Sequence, residues 1–122
     1  MGLFKKKSFS EFEAKVEAMK VQAEKQRQFD IENTNMCEQG MQAQKEGNIE
    51  QAISIYEKLL DRNFDGTHPY KELCIIYDKQ KRYEDEIRVI KQLKKVTPKD
   101  RYKEGNKYRW YDERLKKLTS KE

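Results

Sequence analysis

The chain has 122 residues, with 27 Lys+Arg against 22 Asp+Glu and a formal net charge of +5. That length allows one domain with a modest core, and 5 Gly and 2 Pro among 40% charged residues disfavour a many-turned all-β design. The 7 Tyr, 5 Phe and 1 Trp argue against a solvated, disordered chain, and no apolar run approaches the roughly 18 residues a membrane span needs.

Residues 1–7 read as a basic tail (Lys5, Lys6, Lys7) with no apolar stretch behind it, so MGLFKKKSFSEFE is not expected to act as a secretory signal. Residues 8–32 read as an amphipathic helix starting at Ser8 or Ser10, because Ser8-x-x-Glu11 and Ser10-x-x-Glu13 both have capping-box form. Phe9, Phe12, Val16, Met19 and Ala23 follow at alternating spacings of three and four, a narrow apolar stripe. It suits packing on downstream helices or, alternatively, a short two-stranded seam.

A second helix is predicted from Asp30 or Asn33 to Glu46, ended by Gly47 in the left-handed position that closes helices. Asn48 then caps a third helix with Gln51, along which Ile49, Ala52, Ile53, Tyr56, Leu59 and Leu60 share one face. Asn63-Phe64-Asp65-Gly66-Thr67-His68-Pro69 reads as a turn. Pro69 suits the first turn of a fourth helix, which carries Tyr70, Leu73, Cys74 and Tyr77. A fifth carries Tyr83, Ile87, Ile90 and Leu93 and ends before Pro98. Tyr108, Tyr111, Leu115 and Leu118 share one face of a last helix within 101–122.

Sliding the chain by 34 residues lays 33–66 on 67–100. It superposes Glu38 on Glu72, Lys45 on Lys79, Glu50 on Glu84, Ile53 on Ile87 and Leu59 on Leu93, and the apolar phase and the turns coincide as well. This unit resembles the tetratricopeptide repeat (TPR). Met36, Gly40, Ala43, Ile49, Ala52 and Tyr56 fall on its signature places in the first unit. Tyr70, Cys74, Tyr77, Tyr83, Glu86, Ile90 and Pro98 fall on them in the second. Gly47-Asn48-Ile49-Glu50-Gln51-Ala52-Ile53 is similar to the family's turn and helix start. Glu86 departs from the small residue usual at its place, and its stem is expected to lie along the groove with the carboxylate in water.

The resemblance implies an all-α fold: a short right-handed helical-repeat solenoid with N- and C-terminal capping helices, since each repeat buries its apolar face only against a neighbour. It further implies a non-enzymatic adaptor that binds a protein or peptide in the groove of the first helices. The residues expected to face that groove are Thr34, Cys37, Met41, Gln44, Lys45, His68, Lys71, Ile75, Asp78 and Lys79. Cys37 and Met41 stand where chaperone-binding members carry Lys and Asn, so that specificity is not carried over.

Two other functions compete. Residues 1–66 carry a net −2 and 67–122 a net +7, so copies of the chain can meet acidic end to basic end as a homo-oligomer. Lys107-Tyr108-Arg109-Trp110-Tyr111 suggests nucleic acid, although Asp112 and Glu113 dilute the field and the helix face claims both tyrosines. Three lysines near Leu3-Phe4 are too few to hold a membrane surface alone. Cys37, Cys74 and His68 form neither a disulfide framework nor a metal set, and no Gly-rich phosphate loop, His-Glu-x-x-His or Ser elbow is present. The reading therefore assigns no catalytic residue, metal or cofactor, and places the chain in a reducing cytoplasm.

Overall fold

A computed structural model describes residues 2–103 and 108–120, with side chains for 9–99, 101–102 and 108–120. Among the described residues every regular element is a helix, without strands: α1 (Gly2–Lys45), α2 (Ile49–Asp61), α3 (His68–Lys79), α4 (Tyr83–Val96), α5 (Lys99–Lys103) and α6 (Arg109–Thr119). Two compact units divide the chain, Met1–Asn35 and Met36–Glu122.

The first correction concerns the N-terminal third. The predicted tail, first helix and second helix are one element, and Ser8 and Ser10 lie inside it rather than capping it. The cause is local: residues 11–39 contain neither Gly nor Pro, so nothing interrupts the i to i+4 ladder. Within the Met1–Asn35 unit, exposed side chains bridge along the helix surface. Arg27 pairs with Glu24 at 2.5 Å, and Gln26 donates to Asp30 at 3.0 Å. The apolar stripe is not covered: Phe9 and Phe12 are each 62% exposed and Met19 is 70% exposed.

In the Met36–Glu122 unit, α2 packs on α3, α3 on α4, and α4 on α6. The core runs through Ala43, Ala52, Tyr56, Leu59, Tyr70, Leu73, Cys74, Tyr77, Val89, Ile90, Leu93, Tyr108, Tyr111 and Leu118. Most lie on the faces the periodicity assigns, but on α4 Val89 is buried where Tyr83 was expected, and Tyr83 is 36% exposed. Gly40 permits a close approach between α1 and α2, because a Cβ there would lie 2.5 Å from the buried Tyr56 ring.

Helix ends follow one device used three times. Gly47 has φ +77; its N–H donates to the Gln44 carbonyl (3.1 Å) and that of Asn48 to the Ala43 carbonyl (2.8 Å). This pair of bonds is a Schellman closure. Asn63 (φ 55) and Lys81 (φ 59) repeat it, with Lys81 N–H on Asp78 (3.0 Å) and Arg82 N–H on Tyr77 (2.8 Å). Thr97, 34 residues after Asn63, is instead extended (ψ 127), because Pro98 excludes the helical region for the residue before it.

Caps are less regular than the sequence suggests. Asn48 holds the N-cap place, yet its amide donates to Gln51 Oε1 (2.7 Å) rather than accepting a backbone N–H. Thr67 likewise caps α3 without a side-chain bond. The C-terminal helix expected within 101–122 is α6, the short α5 precedes it, and Lys107 lies outside the described residues.

Candidate partner-binding site

Ten residues are expected to face a partner. Thr34 belongs to the Met1–Asn35 unit, is exposed, and donates its hydroxyl to the Asp30 carbonyl (3.0 Å). The other nine lie on the end of α1 and on α3. Met41 is 42% exposed; Lys45, Lys71 and Lys79 are exposed, while Cys37, His68 and Ile75 are half-buried. Sequence spacing puts Cys37, Met41 and Lys45 four residues apart along α1, and Lys71, Ile75 and Lys79 four apart along α3, hence one face of each helix.

Two of the ten are engaged inside the protein. Gln44 Nε2 donates to Glu72 Oε2 (2.8 Å), and its Oε1 accepts from the Tyr56 hydroxyl (2.9 Å). One amide thus ties α1 to both α2 and α3, a task its paired donor and acceptor suit. Asp78 is ion-paired with Arg114 of α6, so the C-terminal helix already occupies that part of the predicted face.

Glu86 requires the second correction. It is fully buried, and its carboxylate accepts from Arg114 Nε at 2.6 Å instead of reaching water. A buried carboxylate is tolerable only against a cation, and α6 supplies one. The Arg114 guanidinium also lies 5.9 Å from the Trp110 ring centroid.

Another polar cluster has no local sequence signal. Arg88 of α4 donates to both Glu57 oxygens on α2, at 3.1 and 2.6 Å, and the Tyr77 hydroxyl of α3 donates to the same carboxylate. Arg82 covers the Tyr77 ring at 4.5 Å and pairs with Asp85 at 2.9 Å. Burial, and then the bond to Glu57, holds the Tyr77 hydroxyl far above the usual phenol range. Three helices converge on Glu57, which is a structural joint.

Nucleophilic chemistry finds no support at the thiols. Burial pushes Cys74 up to about 12 and also raises Cys37, with Glu38 adding to the effect; a reactive thiol needs the opposite shift. His68 stands edge-on to Tyr56 with ring centroids 6.0 Å apart. No group of three or more metal-ligating side chains occurs among the described residues.

The aromatic, basic C-terminal segment is largely consumed by packing. Tyr108 and Tyr111 are buried, Trp110 meets Tyr111 edge-on at 5.0 Å, and Arg109 is paired with Glu113 at 2.9 Å. Tyr102 stacks on Tyr108 at 4.8 Å and donates to Asp112 at 2.8 Å. Stacking on nucleic-acid bases requires free ring faces, and these rings are turned toward one another. Among the described residues no helix is long and apolar enough to cross a membrane.

No family model, curated protein or solved structure matches the chain. Its function must therefore be argued from its own residues.

Proposed function

We propose that the chain is a non-enzymatic, TPR-like adaptor. In this reading two helical pairs, capped by α6 in a short right-handed solenoid, take a protein or peptide segment on the face of their first helices. The observation that carries it is the 34-residue recurrence of both the helix stop and the core. Gly47 and Lys81 are left-handed with the same two closing bonds, and Ala43 and Tyr77, Ala52 and Glu86, Tyr56 and Ile90, Leu59 and Leu93 are buried in pairs. A structural unit that repeats, burying one face against the next, is the physical content of a helical repeat.

The side chains left for a partner are Met41, Ile75 and Cys37 among Lys45, Lys71 and Lys79. Exposed Met adapts to imprecise apolar partners, and the lysines favour acidic flanks. The preferred ligand is therefore a segment with apolar anchors and carboxylates beside them. A cytoplasmic, reducing compartment suits the two free cysteines.

The test is affinity capture with wild type and with Met41→Glu/Ile75→Glu, the fold being checked by circular dichroism. Loss of the captured partner in the folded variant supports the reading. Equal recovery would place binding elsewhere.

A further inference from the structure

The stripe of the Met1–Asn35 unit has no part in the adaptor reading. Phe9, Phe12 and Met19 are exposed, at 62%, 62% and 70%, and Phe9 and Phe12 line an open apolar depression with Glu13, Lys20 and half-buried Val16. Scattered surface hydrophobes need no explanation, but several large ones on one helical face mark an interaction surface. Their spacing is heptad-like. Phe9, Val16 and Ala23 take the a places; Phe12, Met19 and Gln26 take the d places.

A seam of this kind is completed by another helix, and the flanking charges discriminate among the ways a second copy can supply it. In a parallel, in-register pair Lys15 faces Lys20 of the second copy, twice by symmetry, which is repulsive. In an antiparallel pair with Phe12 opposite Val16, Glu13 faces Glu13 and Lys15 faces Lys15, again repulsive. Moving the antiparallel register so that Val16 lies opposite Met19 changes every contact. Phe12 then meets Ala23, large against small, as interdigitating layers require. Glu13 meets Lys20 twice by symmetry along one flank, and Lys15 meets the neutral Gln22 along the other. Of the three arrangements this one brings no like charges together, with Phe9 against Gln26 at each end of the seam, and its two-fold symmetry closes the assembly at two chains.

We propose that residues 9–26 form an antiparallel two-stranded coiled coil with the same residues of a second copy of this chain, with Val16 against Met19 at its centre and two Glu13–Lys20 pairs along one flank. This differs from docking of acidic onto basic halves, because its driving force is the buried seam and persists when salt screens the charges.

Sedimentation equilibrium of the full chain, from roughly 1 µM to roughly 1 mM, tests it. A reversible dimer is expected that survives about 0.5 M salt and is lost in Phe12→Glu/Met19→Glu. Circular dichroism confirms that the variant remains helical. Charge exchange then reads the register. Glu13→Lys and Lys20→Glu should each weaken dimerisation by roughly tenfold, and the double exchange should restore it. A wild type that stays monomeric overturns the proposal, as does a dimer that salt dissolves or one that Phe12→Glu/Met19→Glu retains. Tighter association of Lys20→Glu alone would indicate the parallel pair and overturn it equally.

Discussion

Replacing Arg114 with Met removes the guanidinium that lies 2.6 Å from the Glu86 carboxylate and that also pairs with Asp78. Glu86 has no exposed side-chain surface, whereas Arg114 is 21% exposed. Breaking a buried pair from one side costs about 3–5 kcal/mol, because the remaining charge is desolvated. Partial hydration of Arg114 puts this pair at the lower end, about 3 kcal/mol, or about 10 °C in Tm for a domain of this size. Urea unfolding followed by circular dichroism measures it. Glu86→Ala/Arg114→Met should recover most of the loss, since Ala52 is fully buried at the matching place in the first helical pair. The coupling between the two sites is then about 2 kcal/mol. Arg109–Glu113, with side chains 69% and 65% exposed, provides the control, and Arg109→Ala should cost no more than about 0.5 kcal/mol. If Arg114→Met costs no more than that control, or if the double variant shows the sum of the two single losses, the burial argument is refuted.

Gly40→Ala drives a Cβ to within 2.5 Å of the Tyr56 ring and should cost about 1–3 kcal/mol in the same urea assay. Gly47→Ala should cost about 1 kcal/mol through its positive φ alone, since nothing lies within 4 Å of the added methyl. Lys81→Gly has the opposite sign, raising stability by about 0.5–1 kcal/mol, because Lys81 already bears that strain at φ 59. Folding holds the Cys74 thiol up to about 12 against an ordinary 9.0. That contribution to stability is complete below pH 9 and disappears as pH rises toward 12, so Cys74→Ala should flatten the alkaline side of the Tm profile. Thiol titration of the folded protein near pH 8 should find Cys37 reacting slowly and Cys74 not at all.

The helix stops were legible because each depends on a few neighbouring residues. Gly47 supplies positive φ without a penalty, and Pro98 forbids a continuing turn. The burial of Tyr56, Leu59, Tyr77, Ile90 and Leu93 was legible for a similar reason: periodicity alone selects the face a helix turns inward. The union of three predicted N-terminal segments into α1 was legible in principle, since residues 11–39 hold no breaker; two Ser-x-x-Glu patterns gave a false start. A capping box and an ordinary exposed Ser and Glu within a helix have the same sequence, and only backbone angles separate them.

The candidate face was legible as a face and not as an inventory. Gln44 and Asp78 sit at the right spacing, but spacing does not reveal that Tyr56, Glu72 and Arg114 come within bonding distance of them. Glu86 is the clearest case. Its sequence place implied a carboxylate in water, and its fate was decided by an arginine 28 residues away. The Glu57–Arg88 joint spans 31 residues. A helix is closed by bonds between residues four apart, so within the Met36–Glu122 unit the sequence by itself determined where most helices stop and which side turns inward. The partner of a buried charge arrives on a different helix, and only the tertiary structure decided which polar side chains remain for anything outside the chain.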